Sequence, residues 1–142
     1  MQAMEISRTG LEVEWRRLEI IAQNIANANT SRTAIGEPFR AMRLLSGPKT
    51  DFAALLAGRS DTSSLNGVGI QAILPENVAP RVAYEPENPQ ADENGFVSYP
   101  GVQHSAEMAL MVETARAYEA NLVAMNTARQ MYMKAMDLGK NI

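Results

Sequence analysis

MALMVETARAYEANLVAMNTARQMYMKAM, residues 108–136, decides the fold. It holds no proline and no glycine, and it is rich in the good helix formers Ala, Met and Leu. A stripe runs through Met108, Met111, Ala115, Tyr118, Leu122, Met125, Arg129, Tyr132 and Met136. From Met111 onward the steps alternate four and three, a heptad seam that keeps one face of a helix against a partner. Arg129 is its polar exception, a side chain able to snorkel from the edge of the seam. The pattern predicts a helix from Ser105 to Leu138, with Ser105 as N-cap, Glu107 in the first turn and Gly139 as the stop. Such a helix is roughly 50 Å long.

The other end of the chain carries a second stripe. Met4, Leu11, Trp15, Leu18, Ala22 and Ile25 predict a helix over 4–28, again with heptad steps from Leu11. Asn24, Asn27 and Asn29 cluster at its exit, where Asn is favoured over helix interiors. They serve either as caps and turn formers or as amide contacts to a neighbouring subunit. Six of the nine Met lie on the C-terminal helix, and flexible Met side chains suit surfaces that meet non-identical neighbours.

Between the two helices the punctuation changes. All seven prolines lie between 38 and 100, and seven of the nine glycines between 36 and 101. Val68, Ile70, Ala72 and Leu74 alternate as in a half-buried strand. Residues 81–84 and 96–99 are short strand candidates joined by a turn-rich loop ending in Asn94-Gly95. Residues 46–66 read as a mobile excursion, with one helical turn at Phe52–Ala57. The expected organisation is α+β. It comprises an N-terminal helix (1–30), a β-rich irregular middle (31–104) and a C-terminal helix (105–142), with the two helices packed as a coiled-coil-like pair.

Composition narrows the function classes. The net charge is −3, with acids and bases mixed, so no basic stripe exists for a nucleic acid. There is no cysteine, which excludes disulfides and thiolate chemistry. No run is apolar for the roughly 18 residues a membrane span needs, so no membrane insertion is expected. Glu12, Glu14, Arg16, Arg17 and Glu19 break up any signal-peptide core. His104 is the sole histidine, and no carboxylates stand at ligand spacing around it, so no metal or cofactor is expected. Asp92 and Glu93 are adjacent acids in a loop, a poor match to the two facing carboxylates of a glycosidase. No catalytic residue is assigned.

Three separated motifs then point to a family. Arg17-Leu-Glu-Ile-Ile-Ala-Gln-Asn-Ile-Ala-Asn-Ala-Asn-Thr30, continued by Thr33, Gly36 and Pro38-Phe39-Arg40, resembles the N-terminal signature of flagellar axial proteins, the rod and hook subunits. The stretch from Tyr84 to Val97 and Pro100-Gly-Val102 resembles the segment peculiar to proximal-rod members. Glu107-Met108, Met111, Ala115-Arg116-Ala117-Tyr118 and Ala120-Asn121 resemble the C-terminal signature. Gly101 stands where the family usually has Asn, Trp15 where a polar residue is common, and 46–66 matches nothing in the pattern.

The resemblance implies a structural subunit of the bacterial flagellar rod in the periplasm. Its implied partners are copies of itself, other rod proteins and the flagellar type III export apparatus, which moves subunits without a cleaved signal peptide. The assembly interface is expected on the two stripes, with Asn24 and Asn27 beside them. Two other readings stand next to it: a cytoplasmic helical adaptor or chaperone of an export system, and a hydrolase acting on peptidoglycan.

Overall fold

The computed structural model describes residues 2–34, 36–49 and 66–140. Helix α1 spans Gln2–Ala26 and helix α2 spans His104–Lys140. The second therefore begins one residue before Ser105 and runs through Gly139. His104 opens it on the exposed surface.

The helices pair antiparallel. Near one end Asn24 touches Glu107, in the middle the rings of Trp15 and Tyr118 are 6.1 Å apart, and further on Gly10 faces Asn121. A Cβ on Gly10 would stand 2.8 Å from Asn121 Oδ1, so glycine permits this close approach. The helices are 25 and 37 residues long, about 37 and 55 Å at 1.5 Å per residue. In this register α1 ends opposite the neighbourhood of Arg129. The last turns of α2 project beyond it, and residues 129–139 are exposed throughout.

The heptad stripes and the buried faces do not coincide. The arc of α1 that is buried comprises Thr9, Gly10, Val13, Ile20, Ile21 and Asn24. At 3.6 residues per turn it lies roughly 140° around the helix from the Met4–Ile25 stripe. On α2 the buried pair is Glu107 and Thr114, and the stripe is rotated toward solvent. The physical reason is that α1 is covered from two sides, by α2 and by a hairpin, and Val13 and Ile20 serve the hairpin.

That hairpin consists of β1 (Met42–Pro48) and β2 (Val68–Pro75), paired antiparallel. Leu44 packs on Val13 and Ile20, with Met42 and Ile73 against them. The register slips between Leu45 and Ser46, which leaves Gln71 without a partner across the ladder. The alternation read from β2 persists across the slip, but its even-numbered face is the outer one. Ile73 faces the core, whereas Val68, Ile70 and Leu74 are exposed. The start of β2 is pinned to α1. The Val68 N–H donates to Thr9 Oγ1 at 3.1 Å, and that hydroxyl donates to the Ile6 carbonyl at 2.7 Å. Gly67, at φ +82°, brings its backbone so close that a Cβ would be 2.1 Å from Thr9 Oγ1. Of the stretch 46–66, residues 46–48 belong to β1 and residue 66 leads toward β2. Residue 49 follows β1, and residues 50–65, with the helical turn expected at 52–57, lie outside the described residues.

A second hairpin, β3 (Arg81–Tyr84) with β4 (Phe96–Tyr99), forms where the strand candidates were read. Val97 is buried on one face, while Val82, Tyr84 and Phe96 stand exposed on the other. The loop between the strands is fixed by its own hydrogen bonds. Asp92 Oδ1 accepts from the N–H groups of Asn94 and Phe96 at 2.9 and 2.8 Å, and Gly95 takes φ +80°.

Candidate functional site

The residues that hold the helices in register form a polar cluster at the join of α1, β1 and α2. Asn24 is fully enclosed and Glu107 is 2% exposed. Asn24 Nδ2 donates to the Met42 carbonyl at 3.0 Å and to Glu107 Oε2 at 3.2 Å, while the Met42 N–H donates to Asn24 Oδ1 at 2.9 Å. Asn24 thus completes the β1 backbone as another strand would. Arg43 grips both carboxylate oxygens of Glu107, one of them at 3.0 Å, and reaches Glu76 at 2.9 Å. The hydrogen bond to Glu107 raises the Arg43 pKa further, so the guanidinium stays charged. A buried carboxylate is tolerable only with such partners. Glu107 lies in the first turn of α2, as read from the sequence, and is also the shared partner of Asn24 and Arg43.

The expected interface residues fall into three groups. Asn24 is internal. Its amide is spent on Met42 and Glu107, so it has nothing to offer a neighbour in this conformation. Asn27 is a cap: its Nδ2 donates to the Gln23 carbonyl at 2.9 Å, and its Oδ1 accepts from Thr30 at 3.2 Å. A second group is half-buried along the flank of the helix pair, namely Met4, Leu11, Leu18, Ile25, Met111, Ala115, Tyr118 and Met125. The third is exposed: Trp15, Met108, Leu122, Arg129, Tyr132 and Met136. Trp15, 56% exposed, tilts over Tyr118 at 51° and bridges the two helices on their outer side.

Exposure on this scale is the main chemical feature of the surface. Among the described residues, six hydrophobic side chains are buried and eighteen large ones are exposed. Nine of the exposed ones lie on α2. Isolated apolar side chains on a surface are ordinary, but contiguous stripes mark contact with other molecules.

The chemistry considered from the sequence finds no centre among the described residues. Asp92 is a turn former whose carboxylate holds backbone N–H groups, and no group of three potential metal ligands occurs. Glu85 is bound by Asn88 at 2.8 Å and by the Tyr99 hydroxyl at 2.9 Å. These bonds hold its carboxyl below the usual range and push the Tyr99 phenol up. Arg81 caps the Tyr99 ring at 5.0 Å. Among the described residues no helix is long and apolar enough to cross a membrane. Gly101 has a local reason: a Cβ there would stand 2.4 Å from the Ala79 carbonyl oxygen.

Sequence reasoning missed the Asn24–Arg43–Glu107 cluster and β1. A usable signal was present, since Arg43 sits alone between Met42 and Leu44 in an apolar run and needs an acidic partner.

Comparison with known proteins supplies the context. The family described as "Flagella basal body rod protein" matches residues 4–32, and "Flagellar basal body rod FlgEFG protein C-terminal" matches residues 93–138. These matches fall on α1 and on β4 with α2. Proteins named flagellar basal-body rod protein FlgC are similar along their whole length. The Agrobacterium fabrum protein is 34% identical over 139 residues, covering 97% of this chain and 94% of its own. The Bacillus subtilis protein is 32% identical over 145 residues, covering 97% of each. The Salmonella typhimurium protein is 28% identical over 140 residues, covering 99% of this chain and 98% of its own.

Proposed function

The chain belongs to the flagellar basal-body rod protein FlgC family, and from that premise we infer how it serves as a structural subunit of the rod. The subunit self-assembles through the outer faces of α1 and α2, packing them against the same helices of other rod subunits. Torque then passes through interlocked helices, with no bond made or broken. The observation that carries this reading is the mismatch between a small core and the many apolar side chains left uncovered along α2, joined by Trp15 on α1.

Energetics support it. Fully burying one Leu, Met or Phe side chain contributes roughly 1.5–3 kcal/mol. Trp15, Leu122, Tyr132 and Met136 each retain more than a third of their surface in the single chain, so much of that contribution is released only by association. The Asn24–Arg43–Glu107 cluster contributes alignment. It holds both helices and the first hairpin in one orientation, so the outer stripes reach neighbours in a fixed geometry.

The working location on this reading is the part of the rod that crosses the periplasm. Subunits reach it through the flagellar type III export apparatus without a cleaved signal, consistent with the charged face of α1. The organisation is a helical core of residues 1–30 and 105–142 with a β-rich middle as its side domain. Relatives bear the names of rod proteins, and no observation favours an adaptor or a wall hydrolase over a rod subunit.

The test is a Leu122→Asp variant expressed at the normal chromosomal level. Loss of the chain from purified basal bodies, with normal expression and loss of swimming, is the expected result. Normal swimming with normal incorporation would remove Leu122 and its stripe from the interface.

A further inference from the structure

Two uncovered surfaces sit at opposite ends of the molecule, and their chemistry is complementary. At one end the β3–β4 hairpin turns Val82, Tyr84 and Phe96 outward, with the Tyr84 and Phe96 rings edge to face at 5.2 Å. Residues 81–103 contain four acids and one base, Arg81, which caps the Tyr99 ring on the opposite face of the hairpin. The hairpin lies at the end where α2 begins, since only residues 100–103 separate β4 from α2. At the other end α2 runs past α1. From 120 to 139 it carries two bases, Arg129 and Lys134, and one acid, Asp137. Met133 stands one turn from Arg129 and beside Lys134, and it is 54% exposed. Among the described residues, neither these bases nor Glu87 and Glu93 have an ion-pair partner within the chain.

Resting on the rod reading above, we propose that copies of this chain meet head to tail, the free end of α2 docking on the outer face of the next copy's β3–β4 hairpin. Met133 covers the Tyr84–Phe96 pair, while Arg129 and Lys134 face Glu87 and Glu93. Attraction between the two ends favours this partner, whereas hairpin against hairpin would set acid against acid. Because the two surfaces differ, the contact is heterologous. It does not close on itself, and repeated it generates an open helical row, the geometry of a shaft.

The absence of cysteine from the chain makes the test clean. The full chain carrying Tyr84→Cys and Met133→Cys is expressed in motile cells, and basal bodies are purified and treated with a short bis-maleimide. The expected result is a ladder of covalent dimers, trimers and larger species of this chain. Each single variant yields at most symmetric dimers. Glu87→Lys with Glu93→Lys, added to the double-cysteine chain, lowers ladder yield by about tenfold. Adding Arg129→Glu and Lys134→Glu to that chain restores it. No ladder, or links only to a different rod protein, overturns the head-to-tail contact, as does a ladder indifferent to charge reversal. Mass spectrometry of the same basal bodies keeps the two claims apart. The chain present without a ladder defeats only this contact; the wild-type chain absent from basal bodies defeats the rod reading itself.

Discussion

The two halves of α2 present similar amino acids to opposite circumstances. From His104 to the neighbourhood of Arg129 the helix lies against α1, and Glu107 and Thr114 are enclosed. Beyond that point the same mix of Met, Ala and aromatic residues continues, yet nothing among the described residues covers it: Met131, Tyr132, Met133, Met136 and Leu138 are all exposed. The difference teaches that an apolar stripe specifies that something must cover it, and leaves the covering molecule unspecified. The first half divides its side chains between folding and assembly, with Met108 and Leu122 exposed beside the enclosed Glu107 and Thr114, and the second holds its own for assembly.

Mutations separate the two halves, ordered here by what they cost the isolated chain. Glu107→Ala leaves Asn24 and Arg43 without their shared partner. Since Arg43 is about one-third exposed and partly solvated, the cost falls to about 2–3 kcal/mol, below that of a fully enclosed pair. Urea denaturation of the purified chain measures it; an unchanged midpoint would mean that the cluster adds nothing to the fold. Gly10→Ala forces Asn121 aside, and after the gain in helix propensity the expected net loss is about 1 kcal/mol by the same assay. Met136→Asp, on the projecting half, changes the stability of the free chain by less than about 0.5 kcal/mol. It nevertheless prevents incorporation into basal bodies, as scored by immunoblot. Should Met136→Asp destabilise the free chain as much as Glu107→Ala, the distinction between the halves fails.

The smallest effect concerns pH. The Glu85 carboxyl titrates below its ordinary range in the folded hairpin, because Asn88 and Tyr99 donate to its charged form. A depressed carboxylate adds stability that is present above the unfolded pKa and is lost as pH falls through the folded one. Tyr99→Phe removes one donor, so the Glu85 resonance followed by NMR titrates at higher pH in that variant. An unmoved titration would show that Tyr99 does not hold Glu85 in solution.

Much of this architecture was legible in the sequence. Proline and glycine placement marked both helices, alternation marked β2, and the short strand candidates at 81–84 and 96–99 are β3 and β4. What periodicity could not supply was phase. Apolar residues on α1 lie on two sides, and the stronger heptad, through Trp15 and Leu18, is the outer one. In β2 the alternation held but its face did not: Val68, Ile70 and Leu74 share the outer side and Ile73 meets the core, a choice no pattern within one strand records. β1 stayed hidden because Arg43 interrupts its apolar run, and Arg43 is explained only by Glu107, 64 residues away in sequence. Asn24 looked like a helix-exit residue for the same reason: its partners come from β1 and α2.

Trp15 and the exposed apolar residues of α2, uncovered in the single chain, are to be covered in the rod. Hydroxyl-radical footprinting addresses this directly, because Trp and Met side chains oxidise when solvent reaches them. Trp15, Met133 and Met136 are compared in the purified monomer and in intact basal bodies. The account predicts fast oxidation of all three in the monomer and strong protection in the basal body; equal oxidation in both would contradict it.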